Sequence, residues 1–408
     1  MPTARRSSLM QRYHERLGKS RDLRAYRHCQ LDWRDANEGS ARMKLDFLDR
    51  VARLLYGRLV GRNARVPRDH EAALTRRAMR PTLTVLTMVR NEAGLIRESM
   101  RHLCALFDRV IVIDHLSNDG TYEFLLELRK LRGEISVLRF DEPAYYQAEI
   151  MTWSFQNLID PTLDDWVFCL DADEFLPFAS RSALLQELER FSHAPVISMR
   201  WQNLVPRDLR SDAVIGATFL RPSRAANLHK VAFQPRLLPQ RRIRISEGNH
   251  SLNYADGRRR PLPPTPAFDL YHVPLRSCSQ IEAKVRQGLQ GYRRMGAMRG
   301  KDHGSHWESI ERVLQTTGLT ESVAIDMAAR YGQQLTHPLG TSFESLLEQG
   351  FVELRLDVAA ACDEDWPRVV ARRPMDSHGP TIEQRPRSID RDRLVMTEAV
   401  GTVRFAAR

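Results

Sequence analysis

The sequence has few cysteines and no long apolar run. Its five cysteines, among 408 residues, lie far apart and form neither a C-x-x-C pair nor a zinc-ligand spacing. A disulfide scaffold and a zinc module are therefore excluded. No stretch approaches the ~20 apolar residues that cross a bilayer. The first 20 residues carry basic side chains without an apolar segment, so we expect no secretory signal and a cytoplasmic location.

Net charge is absent from most of the chain. The protein has a formal net charge of +11, and residues 1–80, with 20 Lys and Arg against 9 Asp and Glu, carry all of it. Apolar residues recur there at helical spacing, which predicts a basic helical N-terminal region. Such a region could contact anionic lipid at the inner face of the membrane, or could simply present a solvated face. No nucleic-acid motif accompanies it, so no nucleic-acid partner is expected.

The pattern changes at Thr82 to strands that alternate with helices. Short apolar segments typical of buried strands occupy residues 83–89, 109–114, 135–140 and 166–171. With helical patterns between them, they predict an α/β fold built on a doubly wound, mostly parallel sheet. We place this sheet domain at residues 81–275. A helical C-terminal region at 276–365 and a polar, loosely ordered tail at 366–408 are expected to follow.

Polar clusters follow three of the predicted strands. They are Asn91-Glu92, the segment "DHLSNDGT" from Asp114 to Thr121, and "DADE" from Asp171 to Glu174. Each cluster alone is weak, because caps and turns use the same residues. Ligands of doubly wound sheets bind at the carboxyl ends of the strands, where all three clusters fall. Their order and placement therefore indicate one binding site.

The segment Asp171-Ala172-Asp173 predicts a cation site. In an extended chain, alternate side chains point the same way, so the two carboxylates are expected to converge. Convergent carboxylates repel unless a cation lies between them. Mg²⁺ or Mn²⁺ prefers oxygen ligands and often binds substrate phosphates. We therefore expect a bound metal with its nucleotide to compensate these acids.

The chain resembles family-two-like glycosyltransferases with the GT-A fold. The stretches that carry the resemblance are "LTMVRNEAGLIRE", "VIVIDHLSNDGT", "WVFCLDADEF", "LHKVAFQPRLL", "ISEGNHSL" and "DLYHVPLRSCSQIEAKV", within about residues 82–310. The turn after Asp114 departs from commoner members, because His115-Leu116 stands where many have Asp and Gly. The resemblance implies a GT-A sheet flanked by N- and C-terminal helical regions.

The resemblance also implies roles for the polar clusters. Asn91 and Glu92 would line the base and ribose end of the donor site, Asp114 would accept from the base, and Asp119 would shape that pocket. Asp171 would face the ribose and the water on the metal, and Asp173 would bind Mn²⁺ or Mg²⁺ directly. A downstream histidine would complete the metal site. His272 is preferred because it closes a predicted strand and precedes a helix, and His250 is the other candidate.

The implied reaction moves a sugar from a nucleotide-sugar to a hydroxyl acceptor, a glycan or lipid-linked molecule, in cell-surface glycan synthesis. The usual outcome in this family is inversion, with a carboxylate as general base. Glu174 and Glu247 are candidates for that base, and Asp212 is a weaker one. Lys230 could neutralise phosphate or be a solvated strand-end charge. Trp201 could stack on a sugar or be a buried aromatic.

Two other functions fit parts of the pattern. Phosphohydrolases of the haloacid-dehalogenase type also place Asp-x-Asp after a buried strand, with the first Asp as nucleophile. They usually carry that strand near the start of the domain, whereas two strands with polar ends precede it here. The second alternative is a non-catalytic module that holds a membrane or a partner through residues 1–80. The intact acids count against this module.

Overall fold

The computed structural model describes residues 81–141, 145–257, 261–293, 305–332, 339–371, 395–398 and 401–404. Residues 1–80 lie outside this set, so their helical character and membrane contact stay predictions. Among the described helices, none is long and apolar enough to cross a bilayer.

Four parallel strands form the centre of the main sheet. They are β1 (Leu83–Val89), β2 (Arg109–Asp114), β3 (Ile135–Phe140) and β4 (Trp166–Cys169), in the order β3-β2-β1-β4. The connecting helices are α1 (Ile96–Leu106), α2 (Thr121–Leu131) and α3 (Gln147–Leu158). The chain runs outward from β1 to β3 and then returns to the other side of β1. This reversal creates a switch point between β1 and β4, which confirms the predicted doubly wound α/β class.

The helices cover both faces of this sheet. The side chains of β1 alternate, with Val85 in the core under α1 and α2 and Leu86 in the core under α3. All seven residues of β1 are buried, as expected for a strand covered on both sides. Their apolar, β-branched composition therefore follows from the position of the strand.

Antiparallel strands extend the sheet beyond β4. The next elements in the chain are β5 (Glu174–Phe175), α4 (Arg181–Glu189), β6 (Val196–Asn203), β7 (Val205–Pro206), β8 (Thr218–Arg221), β9 (His229–Phe233), β10 (Ile243–Ile245), β11 (Leu252–Tyr254) and β12 (Thr265–His272). Beyond β4 the order is β9-β6-β12-β5. Strand β9 is antiparallel to both β4 and β6, whereas β12 is parallel to β6. The sheet is thus mixed around a parallel centre.

The C-terminal helices pack on the face that carries α3. They are α5 (Cys278–Arg293), α6 (Ser305–Thr317), α7 (Glu321–Ala329) and α8 (Phe343–Glu348). Ile281, Val285 and Leu289, at i, i+4 and i+8 along α5, are buried in the same core as Ile150 of α3. Helix α5 therefore shares a core with the sheet.

The end of the described chain returns to the sheet. Strand β13 (Val352–Arg355) pairs with β8, and β14 (Val395–Glu398) with β15 (Gly401–Arg404) forms a hairpin on the edge of β3. Trp366 is buried in the core under α1 and α2. The sequence predicts a loosely ordered tail at 366–408, of which residues 366–371, 395–398 and 401–404 are described.

Candidate active site

A cavity of ≈ 450 Å³ lies at the switch point, beyond the carboxyl ends of β1 and β4. Its lining includes Arg90, Glu92, His115, Asp171, Asp173, Trp201, Lys230, Glu247, His250, His272 and Lys284. All three predicted strand-end clusters thus contribute to the cavity or lie next to it. Four acidic and three cationic side chains line it, which suits a polar ligand better than an apolar one.

The loops after β1 and β2 are tied together by side chains. The Asn91 amide N–H donates to Ser117 Oγ (2.9 Å), and the Asn118 N–H donates to Asn91 Oδ1 (2.8 Å). Asp119 Oδ2 accepts from the Ala93 N–H (2.9 Å), while its Oδ1 accepts from Thr121. Asn91 and Asp119 therefore fix the shape of this edge, and Glu92 is the member of the first cluster that lines the cavity.

Asp114 is a buried carboxylate with one oxygen unused. Its Oδ2 accepts from the Ser117 N–H (3.1 Å) and lies 3.6 Å from Arg139 Nη1. Within the described part of the chain, Oδ1 is buried and has no hydrogen-bond partner. Burial raises the pKa of Asp114 to about 6, although Ser117 and Arg139 oppose this. An unused buried acceptor is costly. Asp114 itself does not line the cavity, whereas its neighbour His115 does, so the unused oxygen lies beside the cavity.

Asp171 is held by a buried lysine. Lys230 Nζ, on β9, donates to Asp171 Oδ2 (2.5 Å) and lies 3.3 Å from Glu174 Oε1. Burial alone would lower the pKa of Lys230, but the two carboxylates raise it above its usual value. The lysine is therefore charged and compensates Asp171. Its side chain is fully buried, so the alternative of a solvated charge is wrong.

The acidic segment is a turn, which corrects the expected extended geometry. The Glu174 N–H donates to the Asp171 carbonyl (3.2 Å), and residues 172 and 173 lie in the turn. Both aspartates still line one cavity, but each contacts a different lysine. Each aspartate is therefore compensated by a lysine, which the sequence did not predict.

Asp173 contacts Lys284 and lies beside His272. Lys284 Nζ, on α5, donates to Asp173 Oδ2, and His272 Nε2 lies 3.8 Å from Asp173 Oδ1. Burial would raise the pKa of Asp173, but Lys284 holds it well below its usual range. Asp173 is therefore ionised at neutral pH.

Asn203 fixes the orientation of His272. The Asn203 Nδ2 group donates to the Tyr331 carbonyl (3.0 Å), so its Oδ1 faces His272 Nδ1 at 2.8 Å. Because an amide oxygen only accepts, Nδ1 carries the proton and Nε2 presents a lone pair toward Asp173. Burial lowers the pKa of His272 to about 3, which keeps the ring neutral.

His250 lies on a loop with unusual backbone geometry. Gly248 and Asn249 have φ values of 70° and 57°, both in the left-handed region. Asn249 Nδ2 lies 3.4 Å from Asp171 Oδ1, and His250 Nδ1 donates to the His229 carbonyl (2.6 Å). Burial lowers the pKa of His250 to about 4. His250 lines the cavity, whereas His272 is the histidine next to Asp173.

Trp201 packs beneath the two histidines. His272 stacks on its ring at 4.0 Å and 23°, and His250 contacts it edge-on at 5.4 Å. Its indole N–H donates to Glu174 Oε1 (2.7 Å). Because one face is covered by His272 and the residue is buried, the interpretation of Trp201 as a buried aromatic is favoured over sugar stacking.

The three candidate bases occupy different environments. Glu174 is buried, with Oε2 accepting from the Asp171 N–H (2.9 Å) and Oε1 from Trp201. Asp212 Oδ1 accepts from Ser277 Oγ (2.7 Å). Glu247 lines the cavity. The geometry therefore favours Glu247 for contact with a ligand and gives Glu174 a supporting position.

Three residues that line the cavity were not predicted from the sequence: Lys284, Gln147 and Tyr331. Lys284, Gln287 and Gly288 lie at i, i+3 and i+4 on α5 and line the cavity together. These three positions flank the buried Ile281 stripe on the same helix, and their helical spacing is visible in the sequence. Gln147 bridges the Gly248 N–H and Asp171 Oδ1, at 2.8 and 3.2 Å, and no sequence signal marks it.

The fold is α/β, and its cavity lies at the switch point, where ligands of doubly wound sheets bind. Residues 84–212 match the family model described as glycosyl transferase family 2, which covers just under a third of the chain. The matched stretch includes all three polar clusters. The protein is therefore a glycosyltransferase with a family 2 domain, as the resemblance implied. No curated protein matches the chain in sequence.

Two solved glycosyltransferase structures show weak likeness to the chain. One is mannosyltransferase PcManGT from Pyrobaculum calidifontis in complex with GDP-Man and Mn²⁺, with 19% identity, TM-score 0.30, and coverage of 66% of this chain and 79% of that one. Another is glucosyl-3-phosphoglycerate synthase from Mycobacterium tuberculosis with Mg²⁺ and UDP, with 18% identity, TM-score 0.22, and coverage of 34% and 49%. Likeness at this level does not identify a substrate.

Proposed function

We propose that this enzyme transfers a sugar from a nucleotide-sugar donor to a hydroxyl acceptor with the help of a divalent cation. The observation that carries the proposal is the meeting of Asp171, Asp173 and His272 in one cavity at the switch point. The family match favours this reaction over a dehalogenase-type phosphohydrolase and over a non-catalytic module, because the Asp-x-Asp segment lies inside the matched residues.

The nucleotide end of the donor lies toward the loops after β1 and β2. Asp114 Oδ1 is the acceptor for an N–H of the base, and Glu92 lies at the ribose side. Hydrogen bonds made by Asn91 and Asp119 hold these two loops together. The diphosphate then extends toward Asp171 and Asp173.

Asp173 and His272 would supply two protein ligands to a Mn²⁺ or Mg²⁺ ion, and no group of three or more metal-ligating side chains occurs among the described residues. Asp173 Oδ1 and the Nε2 lone pair of His272 face the same space, and the diphosphate would supply further oxygen ligands. When bound, the ion supplies positive charge against the charge that develops on the leaving diphosphate. Asn203 holds His272 in the tautomer that can act as a ligand.

Glu247 serves as general base in this proposal. It takes the proton of the acceptor hydroxyl, whose oxygen attacks the anomeric carbon while the bond to the diphosphate breaks. Attack from the face opposite the leaving group inverts the anomeric centre. From the sequence, we further propose that the acceptor is a glycan or a lipid-linked molecule in cell-surface glycan synthesis. The enzyme would act in the cytoplasm.

The test is a panel of nucleotide-sugars measured by thermal shift and calorimetry with Mn²⁺. We expect one base and sugar to bind best, and Asp173→Asn to reduce transfer by about 10²-fold or more. Asp365→Asn, at an exposed position, is the matched control and should behave as wild type. If no nucleotide-sugar binds, or if Asp173→Asn keeps full transfer with a normal circular dichroism spectrum, the proposed function is wrong.

A further inference from the structure

Lys284 is a cavity-lining lysine whose contacts no part of the proposed reaction uses. It lies on α5, and its side chain is 19% exposed. Its ammonium donates to Asp173 Oδ2 and to the Pro274 carbonyl (3.1 Å). Gln287 and Gly288 extend the same polar face of α5 along the cavity. This lysine therefore touches both an essential acid and the space where a ligand would lie.

Two lysines, Lys230 and Lys284, face three carboxylates in this part of the site. Asp171 and Glu174 are compensated by Lys230, which is fully buried and held at 2.5 Å from Asp171. Asp173 is compensated by Lys284. Lys230 is confined by two carboxylates, whereas Lys284 has one carboxylate and a carbonyl. Lys284 is also the more exposed of the two, at 19% against 0%, so it is the lysine better placed to contact a ligand in the cavity.

We propose that Lys284 is a built-in counter-ion of the donor site, which neutralises Asp173 before the donor binds and then contacts the donor diphosphate. The inference rests on the proposed function, because it takes the ligand to be a nucleoside diphosphate. An ammonium group is a strong point-charge partner for phosphate oxygens. The same group competes with a metal ion for Asp173, since both are cations that use its carboxylate.

Two consequences distinguish this role from a purely structural one. First, wild-type enzyme should retain measurable affinity for the nucleoside diphosphate in chelator, because Lys284 still supplies positive charge. Second, Mn²⁺ without nucleotide should bind more tightly when Lys284 is replaced by a neutral residue. Loss of a hydrogen bond between charged groups corresponds to about ten- to a hundredfold in affinity.

The experiment compares wild type, Lys284→Gln and Lys284→Arg, with Lys130→Gln as the matched control at a lysine that is 67% exposed. Calorimetry measures the affinity for UDP and GDP in the presence of chelator. Electron paramagnetic resonance measures the affinity for Mn²⁺ in the absence of nucleotide, from the concentration of free ion. We expect Lys284→Gln to lose about tenfold or more in nucleotide affinity in chelator and to gain affinity for Mn²⁺. Lys284→Arg should retain part of the nucleotide affinity, and Lys130→Gln should match wild type.

The outcomes separate this inference from the proposed function. Nucleotide that binds wild type and Lys284→Gln equally in chelator, with equal Mn²⁺ affinity, would overturn the role of Lys284 while leaving the transferase intact. The same holds if wild type binds nucleotide only with metal. Failure of any nucleotide to bind wild type under any condition would instead overturn the proposed function.

Discussion

Asp114 carries one buried oxygen on which the proposed nucleotide contact depends. Its Oδ2 is engaged by Ser117, while Oδ1 is buried with no partner in the described chain. An ionised carboxylate accepts a hydrogen bond more strongly than a protonated one. Because burial raises its pKa to about 6, this carboxyl changes its charge within the range in which enzymes are assayed.

We therefore expect nucleotide affinity to rise with pH through about 6, since binding favours the ionised form. Phosphate groups titrate in the same range, so the comparison must be made against Asp114→Asn. In that variant the part of the pH dependence due to Asp114 should vanish, and affinity at pH 8 should fall about tenfold. Calorimetry from about pH 5 to pH 8 on wild type and on Asp114→Asn measures the nucleotide affinity and its pH dependence. Identical pH profiles for the two proteins would contradict the role of Asp114.

At the level of residues, the sequence predicted which side chains meet and not which atoms they contact. Because ligands of doubly wound sheets bind at the carboxyl ends of the strands, the sequence predicted one shared site, and Glu92, Asp171 and Asp173 line one cavity. This rule could not show that Lys230 and Lys284 compensate the two aspartates, because these lysines are 59 and 111 residues away in the chain. Nor could it choose between the two histidines, whose relation to Asp173 depends on the pairing of β12 with β5 and β6.

At the level of elements, the loop that joins β10 to β11 carries three cavity-lining residues, Glu247, Gly248 and His250, next to left-handed backbone at Gly248 and Asn249. Gly248 has a φ of 70°, and a Cβ there would lie 2.3 Å from His250 Nε2. Its N–H also donates to Gln147, which in turn contacts Asp171. The loop therefore depends on glycine both for its conformation and for space.

Gly248→Ala should lower transfer by displacing His250 and Glu247, in addition to a cost of about 1–2 kcal/mol for the left-handed backbone. Gly257→Ala is the matched control, because Gly257 has a φ of 62° but no atom within 4 Å of the position that a Cβ would take. Both variants should unfold at lower temperature than wild type. Gly248→Ala should lose much more transfer activity than Gly257→Ala. Equal transfer by the two variants would show that the contact with His250 is unimportant.

The elements themselves were largely predictable. Strands β1, β2 and β3 begin and end where the apolar segments predicted, because each is a short β-branched run bounded by polar or turn residues. The prediction of an extended acidic segment after β4 is wrong, since the local sequence does not reveal the hydrogen bond from Glu174 to Asp171. The pairing of β9 between β4 and β6 is equally a long-range feature.

At the level of the whole molecule, residues 356–371 tie the chain end to α1 and α2. Arg97 donates to Asp363 and to the Pro367 carbonyl, with distances of 2.7 Å to each. Trp366 is 7% exposed and lies in the core under these helices. This segment therefore supports the face of the sheet opposite α3.

Trp366→Ala should destabilise the protein by about 3 kcal/mol or more, because it leaves a large cavity in that core. The midpoint of urea unfolding measures this, with Val370→Ala as the control, since Val370 is 68% exposed. Nucleotide affinity at low urea should stay near that of wild type, because Trp366 does not line the cavity of the candidate site. An unchanged midpoint would mean that the segment packs loosely on the helices.

The distance along the chain between the acids and their lysines has a consequence for synthesis. Residues 84–212, which the family model matches, end before Lys230 and Lys284 have been translated. A nascent chain that has just completed this stretch would hold its aspartates without the ammonium groups that neutralise them. Both β9 and α5 must be synthesised before the proposed donor site is complete. A fragment that ends at residue 212 should therefore not bind the donor.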